Sequence, residues 1–280
     1  MAFDGITIAA MVKELHLNLD GGRFNKIAQP EADELLITGK GANGQCRLLL
    51  SASASLPLIY FTSKNKPSPM TAPNFCMLLR KHIGSARVSD IRQPGMERVV
   101  MFELEHLNEL GDPCKKVLIM ELMGKHSNII FCDDKGMILD SIKHVSSHMS
   151  SVREVLPGRE YFIPKTQDKL DPLTVSEEEF YDVVCRKPCN VSRAVYSSLT
   201  GISPVVAEEI CFRASIDGSD AAQSLDEAAR VHLYHYVPQA DGSGCGGGFF
   251  SEYCLPGGRT CGVWCVCVPA VWTGVSFCGV

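Results

Sequence analysis

Two stretches of the sequence carry residue types at spacings suited to holding phosphate. The first is Leu199-Thr200-Gly201-Ile202-Ser203-Pro204-Val205-Val206-Ala207-Glu208-Glu209-Ile210, the pattern of a helix-hairpin-helix. In that motif a glycine turn, here Gly201, Ile202 and Ser203, aims backbone N–H groups and the start of the next helix at a nucleic-acid backbone, while Ala207 and Ile210 pack the two helices. Ser203 stands where the motif usually has a second glycine, which restricts the approach of a backbone. Two packed helices joined by a tight turn with no ligand fit the same residues, and both readings stay open. The second stretch is 61–100, where Lys64, Lys66, Arg80, Lys81, Arg87, Arg92 and Arg98 outnumber the two acids, Asp90 and Glu97, by five. A local excess of that size inside an acidic chain is what a patch for a polyanion requires. A solvated charged face is the alternative, and Glu97 with Arg98 equally makes an ion pair at a strand end, worth little for stability.

Other chemistry finds little support. His126, His144, His148, His232 and His235 have no carboxylate or cysteine at ligand spacing, and Cys185 with Cys189 lacks a second pair, so no metal is expected. Cys76 and Cys132 lie within apolar runs and read as buried thiols packed like small hydrophobes. The chain contains neither G-x-G-x-x-G nor G-x-x-x-x-G-K-[ST], so nucleotide-phosphate folds gain no support and no cofactor is expected.

The whole chain has 280 residues, 27 Lys+Arg, 32 Asp+Glu and a net charge of −5, so any contact with nucleic acid must be local and not a property of bulk charge. The average mixes two unlike sequences. Residues 241–280 hold six of the 13 cysteines (Cys245, Cys254, Cys261, Cys265, Cys267 and Cys278), both tryptophans, ten of the 24 glycines and one cation, Arg259. The preceding residues have the ordinary balance of a reduced intracellular protein. The N-terminus has no basic region followed by an apolar run, and no run of 18 apolar residues occurs, so a cytoplasmic protein with no membrane partner is expected.

The elements that must hold these residues follow from periodicity. Ile8, Met11, Val12, Leu15 and Leu19 repeat at helical spacing, with Asp4 as cap and Gly21-Gly22 as stop. The runs Leu35–Ile37, Leu48–Leu50 and Leu58–Phe61 read as strands, the first two joined by a turn at Gly41-Ala42-Asn43-Gly44. Pro73 is placed to start a second helix that ends at Gly84. Further strands are predicted over Arg87–Ile91, Val99–Leu104, Val117–Leu122, Ile129–Cys132 and Met137–Ile142. Strands following strands, with two helices inserted, give an α+β fold with an antiparallel sheet. After residue 172 the character becomes helical: Ser176 with Glu179 is a capping box, Val175 and Phe180 are placed for a hydrophobic staple, Asn190 can cap the next helix and Pro204 can start another. The expected organisation is a sheet-rich domain over 1–172, a small all-α helix-hairpin-helix domain over 173–237, and an aberrant Gly/Cys-rich tail over 238–280.

Several segments resemble one family in one order. Phe3-Asp4-Gly5, the stretch Phe75 to His82 (FCMLLRKH), Gln93-Pro94-Gly95-Met96-Glu97-Arg98, the stretch Glu121 to Ile130 (ELMGKHSNII), Asp140 to Val145 (DSIKHV) and Arg153 to Gly158 (REVLPG) are similar to the N-terminal part of the NFACT proteins, the family of bacterial RqcH/FbpA and eukaryotic NEMF. The resemblance runs over about residues 1–236. It implies an N-terminal domain like that of formamidopyrimidine-type DNA glycosylases. It also implies a non-enzymatic RNA-binding role in ribosome-associated quality control, with a large ribosomal subunit carrying peptidyl-tRNA and an alanyl-tRNA as partners, the latter for C-terminal alanine tailing of stalled chains. The family's acidic-Arg pair, linked to tRNA engagement, falls on Glu97 and Arg98, with Asp4, Arg80 and Arg153 as further candidates. Glu97 replaces an Asp found in many relatives, one methylene longer with the same charge.

The resemblance also brings two competitors. A surface adhesin binding fibronectin is an activity attributed to the same family, and the lack of a secretion signal weighs against it. A glycosylase-like DNA repair enzyme is the other, and the start Met1-Ala2-Phe3 lacks the Pro-Glu that supplies that enzyme's amine nucleophile. Family members continue into a long coiled coil and a C-terminal RNA-binding domain. The residues after Tyr236 show no heptad, and a shifted reading frame or disrupted gene accounts for their composition better than a metal or disulfide cluster at Cys261, Cys265 and Cys267.

Overall fold

A computed structural model describes residues 3–107, 111–164 and 168–237. The tail expected to be aberrant lies outside the described residues. The chain begins with helix α1 (Gly5–Leu19), followed by strands β1 (Arg23–Ala28), β2 (Glu34–Gly41), β3 (Gly44–Ser51) and β4 (Leu58–Phe61). Helix α2 (Asn74–Ile83) precedes β5 (Arg87–Arg92), β6 (Val99–Leu107), β7 (Pro113–Glu121), β8 (Asn128–Asp133) and β9 (Ile138–Ser141). The nine strands form one antiparallel sheet in the order β4-β3-β2-β1-β5-β6-β7-β8-β9. Two meanders, β1–β4 and β5–β9, thus join where β1 meets β5, through the pair Arg23↔Arg87.

Alternation along the strands builds the main core. Leu35 and Ile37 of β2, Leu48 and Leu50 of β3, Val88 and Ile91 of β5, and Phe102 and Leu104 of β6 point to one face, where Ile8, Leu15 and Leu19 of α1 and Phe75, Leu79 and Ile83 of α2 cover them. The opposite face carries two smaller clusters, Ala28, Leu36 and Leu49 at one end and Val99, Met101, Ile119 and Ile130 at the other. The strands predicted from apolar runs are all present. Strand β1 carries no long apolar run, and the periodicity does not reveal it. The hairpin between β2 and β3 closes on the pair Gly41↔Gly44, and of its residues Gly44 takes the positive φ, +98°. Pro73 sits at the N-cap of α2 and not at its first turn, since its ψ of 154° is still extended.

The second unit is helical: α3 (Glu177–Phe180), which runs on into a π turn (Tyr181–Cys185), α4 (Val191–Ser198), α5 (Pro204–Arg213) and α6 (Glu227–His235). The capping box is complete, with Ser176 Oγ accepting from the Glu179 N–H and the Glu179 carboxylate accepting from the Ser176 N–H. Val175 and Phe180 are both buried, as a staple requires. Asn190 caps α4 through the Arg193 N–H, and Ser203 caps α5 through the Val206 N–H. Ala207 and Ile210 lie in this unit's own core with Val191, Ala194 and Val195. Among the described residues no helix is long and apolar enough to cross a membrane.

Candidate nucleic-acid interface

Three segments distant in sequence meet where the two units touch. The first is the start of α1, where Asp4 caps the helix: its Oδ1 accepts from the Thr7 N–H at 2.8 Å and from the Thr7 hydroxyl at 2.7 Å. The second is the turn Gln93–Glu97 that feeds β6. The third is the turn between α4 and α5. The Gly5 N–H donates to the Gly201 carbonyl at 2.8 Å. A Cβ on Gly5 would stand 2.5 Å from the Met96 carbonyl oxygen, and one on Gly201, whose φ is +73°, only 2.2 Å from the same atom. Glycine at both positions is therefore a requirement of close backbone approach. Gln93 Nε2 ties the junction together by donating to the carbonyls of Gly5 and Glu97, each at 2.9 Å.

This packing bears on the helix-hairpin-helix reading. Ile202 is buried, and the Ser203 hydroxyl donates to Asp4 Oδ2 at 2.7 Å. A carboxylate of the chain itself is thus the anion at the start of α5, and the turn faces the sheet domain. Gly201, Ile202 and Ser203 join the two units.

Glu97 and Arg98 emerge beside this junction, both half-buried. The Arg98 carbonyl accepts from the Leu122 N–H at 2.9 Å, which fixes the backbone at the edge of β6 and β7. Among the described residues no hydrogen bond or ion pair engages the Arg98 guanidinium, so the strand-end pair with Glu97 does not form. Burial pushes the Glu97 carboxyl above the usual carboxylate range; Arg98 and Lys169 pull it down and Asp171 adds to the rise. Lys169 is held below the usual lysine range, first by burial and then by Lys187 and Arg98. Its ammonium donates to the Tyr196 carbonyl at 2.9 Å, and that of Lys187 to Ser197 Oγ at 3.1 Å, both at the last turn of α4. The backbone around Lys169 is anchored by a bridge between Leu170 and Leu199. Asp171 closes the cluster: its Oδ2 lies 2.5 Å from where a Cβ on Gly95 would stand. Sequence reasoning missed Lys169, Asp171 and Lys187, which no motif marks; the Leu170–Leu199 bridge anchors the segment that carries Lys169 and Asp171 to Glu97 and Arg98, and Lys187 acts on Lys169.

Two other residues with an expected contact lie elsewhere and have internal partners. Arg80 Nε donates to the Ile27 carbonyl at 2.7 Å, tying α2 to β1. Arg153 Nη2 donates to Glu121 Oε1 at 2.6 Å and Oε2 at 2.5 Å, and its Nη1 donates to the Phe162 carbonyl at 2.6 Å. The Arg153 and Glu121 side chains are 10% and 0% exposed. The Tyr161 hydroxyl adds a third hydrogen bond to Glu121 at 2.9 Å.

The basic stretch 61–100 does not fold into one patch. Lys66 pairs with Glu34 at 2.5 Å and Arg92 with Glu103 at 2.9 Å, and Arg80 is turned to the Ile27 carbonyl. His144, read from the sequence as lacking a carboxylate, has one: Asp140 Oδ1 at 2.7 Å, four residues back. Among the described residues no group of three or more His, Cys, Asp or Glu is placed to hold a metal ion. Cys76 and Cys132 are buried, and burial pushes the Cys132 thiol up to about 12, which keeps it protonated and unreactive.

The model of the NFACT N-terminal and middle domains matches residues 4–240. The Rqc2 homolog RqcH of Bacillus subtilis (strain 168) is 38% identical over 219 residues, which is 77% of this chain and 38% of that protein. The ribosome quality control complex subunit NEMF of Mus musculus is 25% identical over 218 residues, 78% of this chain and 19% of its own length. The chain therefore spans well under half of these relatives. Among solved structures, the N-terminal part of the fibronectin/fibrinogen-binding protein from Streptococcus suis superposes with a TM-score of 0.71 at 32% identity, covering 83% of this chain and 84% of that one. With its fold, its junction and the match over nearly all described residues in agreement, this chain belongs to the NFACT family.

Proposed function

We propose that the chain is the tRNA-engaging N-terminal portion of a ribosome quality-control factor and acts by binding alone, without a covalent step. The observation that carries this reading is the Arg98 guanidinium, which makes no hydrogen bond or close ion pair among the described residues and sits beside a carboxylate whose pKa burial raises. A free guanidinium is suited to a bidentate contact with phosphate or a base edge, and Glu97 is suited to orient it or to accept from a base amine. Lys169 adds positive charge next to it, and Lys187 adds more beside Lys169. Asp4 and the Gly201–Ser203 turn serve by fixing the junction from which Glu97 and Arg98 project, and Arg80 and Arg153 by holding the sheet domain. In the wider assembly, the partners would be a large ribosomal subunit with peptidyl-tRNA and an alanyl-tRNA in the cytoplasm, with alanine tailing as the outcome. The test is tRNA co-purification with the Glu97→Ala/Arg98→Ala chain. Recovery falls to background on this reading, and recovery equal to the parent overturns it.

The name of the Streptococcus suis neighbour supports a second reading, binding of fibronectin. Saturable, nuclease-resistant binding of the purified chain to immobilised fibronectin, unaffected by the Glu97→Ala/Arg98→Ala change, would favour that reading.

A further inference from the structure

Strand register places three cations side by side where the two meanders join. Arg23 of β1 stands directly opposite Lys40 of β2 on one flank and Arg87 of β5 on the other. Directly opposed residues of antiparallel strands point to the same face, and strands lie about 4.8 Å apart, so the row spans about 10 Å. All three are exposed. Lys26 of β1 and Arg47 of β3 share this face, since both are partners of Thr38 in β2. Among the described residues none of the five has an ion pair; Arg23 and Arg47 donate only to the carbonyls of Ser85 and Ser63. The acid of β2, Glu34, is taken by Lys66, and the first acid along the row, Glu105 of β6, is taken by Lys115.

Like charges directly opposite one another destabilise a sheet. A row of three without an acid between them, in a chain of net charge −5, works against the fold and calls for an external anion. We propose that this face of β3-β2-β1-β5 is a second, sequence-independent docking surface for the phosphate backbone of an RNA helix, separate from Glu97 and Arg98. Charge complementarity identifies the occupant: regularly spaced cations on a sheet face match regularly spaced phosphates. None of the large exposed apolar residues lies on these four strands, so the face lacks the apolar groups that insert into a lipid surface.

The experiment measures binding of the full 280-residue chain to a 20-base-pair RNA duplex of arbitrary sequence across a salt series, beside vesicles of anionic phosphatidylglycerol. The Arg23→Gln/Lys40→Gln/Arg87→Gln chain is expected to bind the duplex at least about tenfold more weakly at 0.1 M salt and to lose about three units of the log–log salt slope. Its melting temperature should be unchanged or higher, because removing facing like charges relieves the sheet. If it is lower, Lys40→Gln alone, at the exposed end of the hairpin, should still lose about one unit. The Glu97→Ala/Arg98→Ala chain, run in parallel, should lose no more than about one unit, so the two surfaces fail separately. An unaltered affinity and slope in the triple variant, no duplex binding by the parent, or a loss confined to the vesicles overturns the proposal.

Discussion

Replacing Arg153 by alanine separates a scaffold residue from a ligand contact. Arg153 supplies two of the three side-chain hydrogen bonds to the Glu121 carboxylate, which is wholly buried. Burial opposes the charge on the guanidinium, but Glu121 more than offsets this and holds Arg153 above its ordinary value. Arg153→Ala therefore leaves a buried carboxylate with one donor, Tyr161, at a cost of about 3–5 kcal/mol. For a domain of this size each kcal/mol lowers Tm by about 2–4 °C, so the drop should be about 10 °C, read by circular dichroism melting at pH 7. Glu121→Leu/Arg153→Met, which removes both charges and keeps apolar volume, should recover most of it. A chain with Arg153→Ala that melts within about 2 °C of the parent yet loses tRNA would refute the scaffold role and return Arg153 to the binding surface.

Three further outcomes follow from the junction and the caps. Gly5→Ala should lower stability by about 1–3 kcal/mol although alanine is the better helix former, because its Cβ meets the Met96 carbonyl at 2.5 Å and the Gly201 Cα at 2.8 Å; a raised Tm would mean the units do not press together there. Glu97→Gln should raise Tm at pH 7 while weakening tRNA binding. A carboxyl whose folded pKa lies above its unfolded one costs stability once ionised, so the gain should shrink as pH falls through the folded value and vanish near about pH 4, and a pH-independent difference would contradict this cause. Ser176→Ala removes the Oγ half of a capping box and should cost about 1 kcal/mol in chemical denaturation of the helical unit.

Much of the scaffold could be read from local signals. Asp4, Ser176 and Asn190 act as the caps their positions foretold, and the apolar runs became strands, six of the eight with longer bounds, β4 with the same and β9 with shorter ones. Strand β1 escaped because its bulge between Phe24 and Lys26 breaks the alternation that marks a strand. The site was legible only in part. Glu97 and Arg98 came from family resemblance, while Lys169 and Asp171 reach them on the segment anchored by the Leu170–Leu199 bridge, which no local pattern encodes. The same limit explains the basic stretch: counting cations over 61–100 grouped residues that fold apart, whereas Arg23, Lys40 and Arg87, separated by 17 and 47 positions in sequence, become neighbours through register.

The most direct test of the central claim is the dissociation constant for tRNA, by fluorescence anisotropy, of the parent chain and of Arg98→Ala and Arg98→Lys. A charge-assisted contact of about 1.5–3 kcal/mol predicts affinity about 10- to 100-fold weaker for alanine, only partly restored by lysine because the fork is lost, with Tm unchanged in both. Affinities within about twofold of the parent for Arg98→Ala would contradict the account.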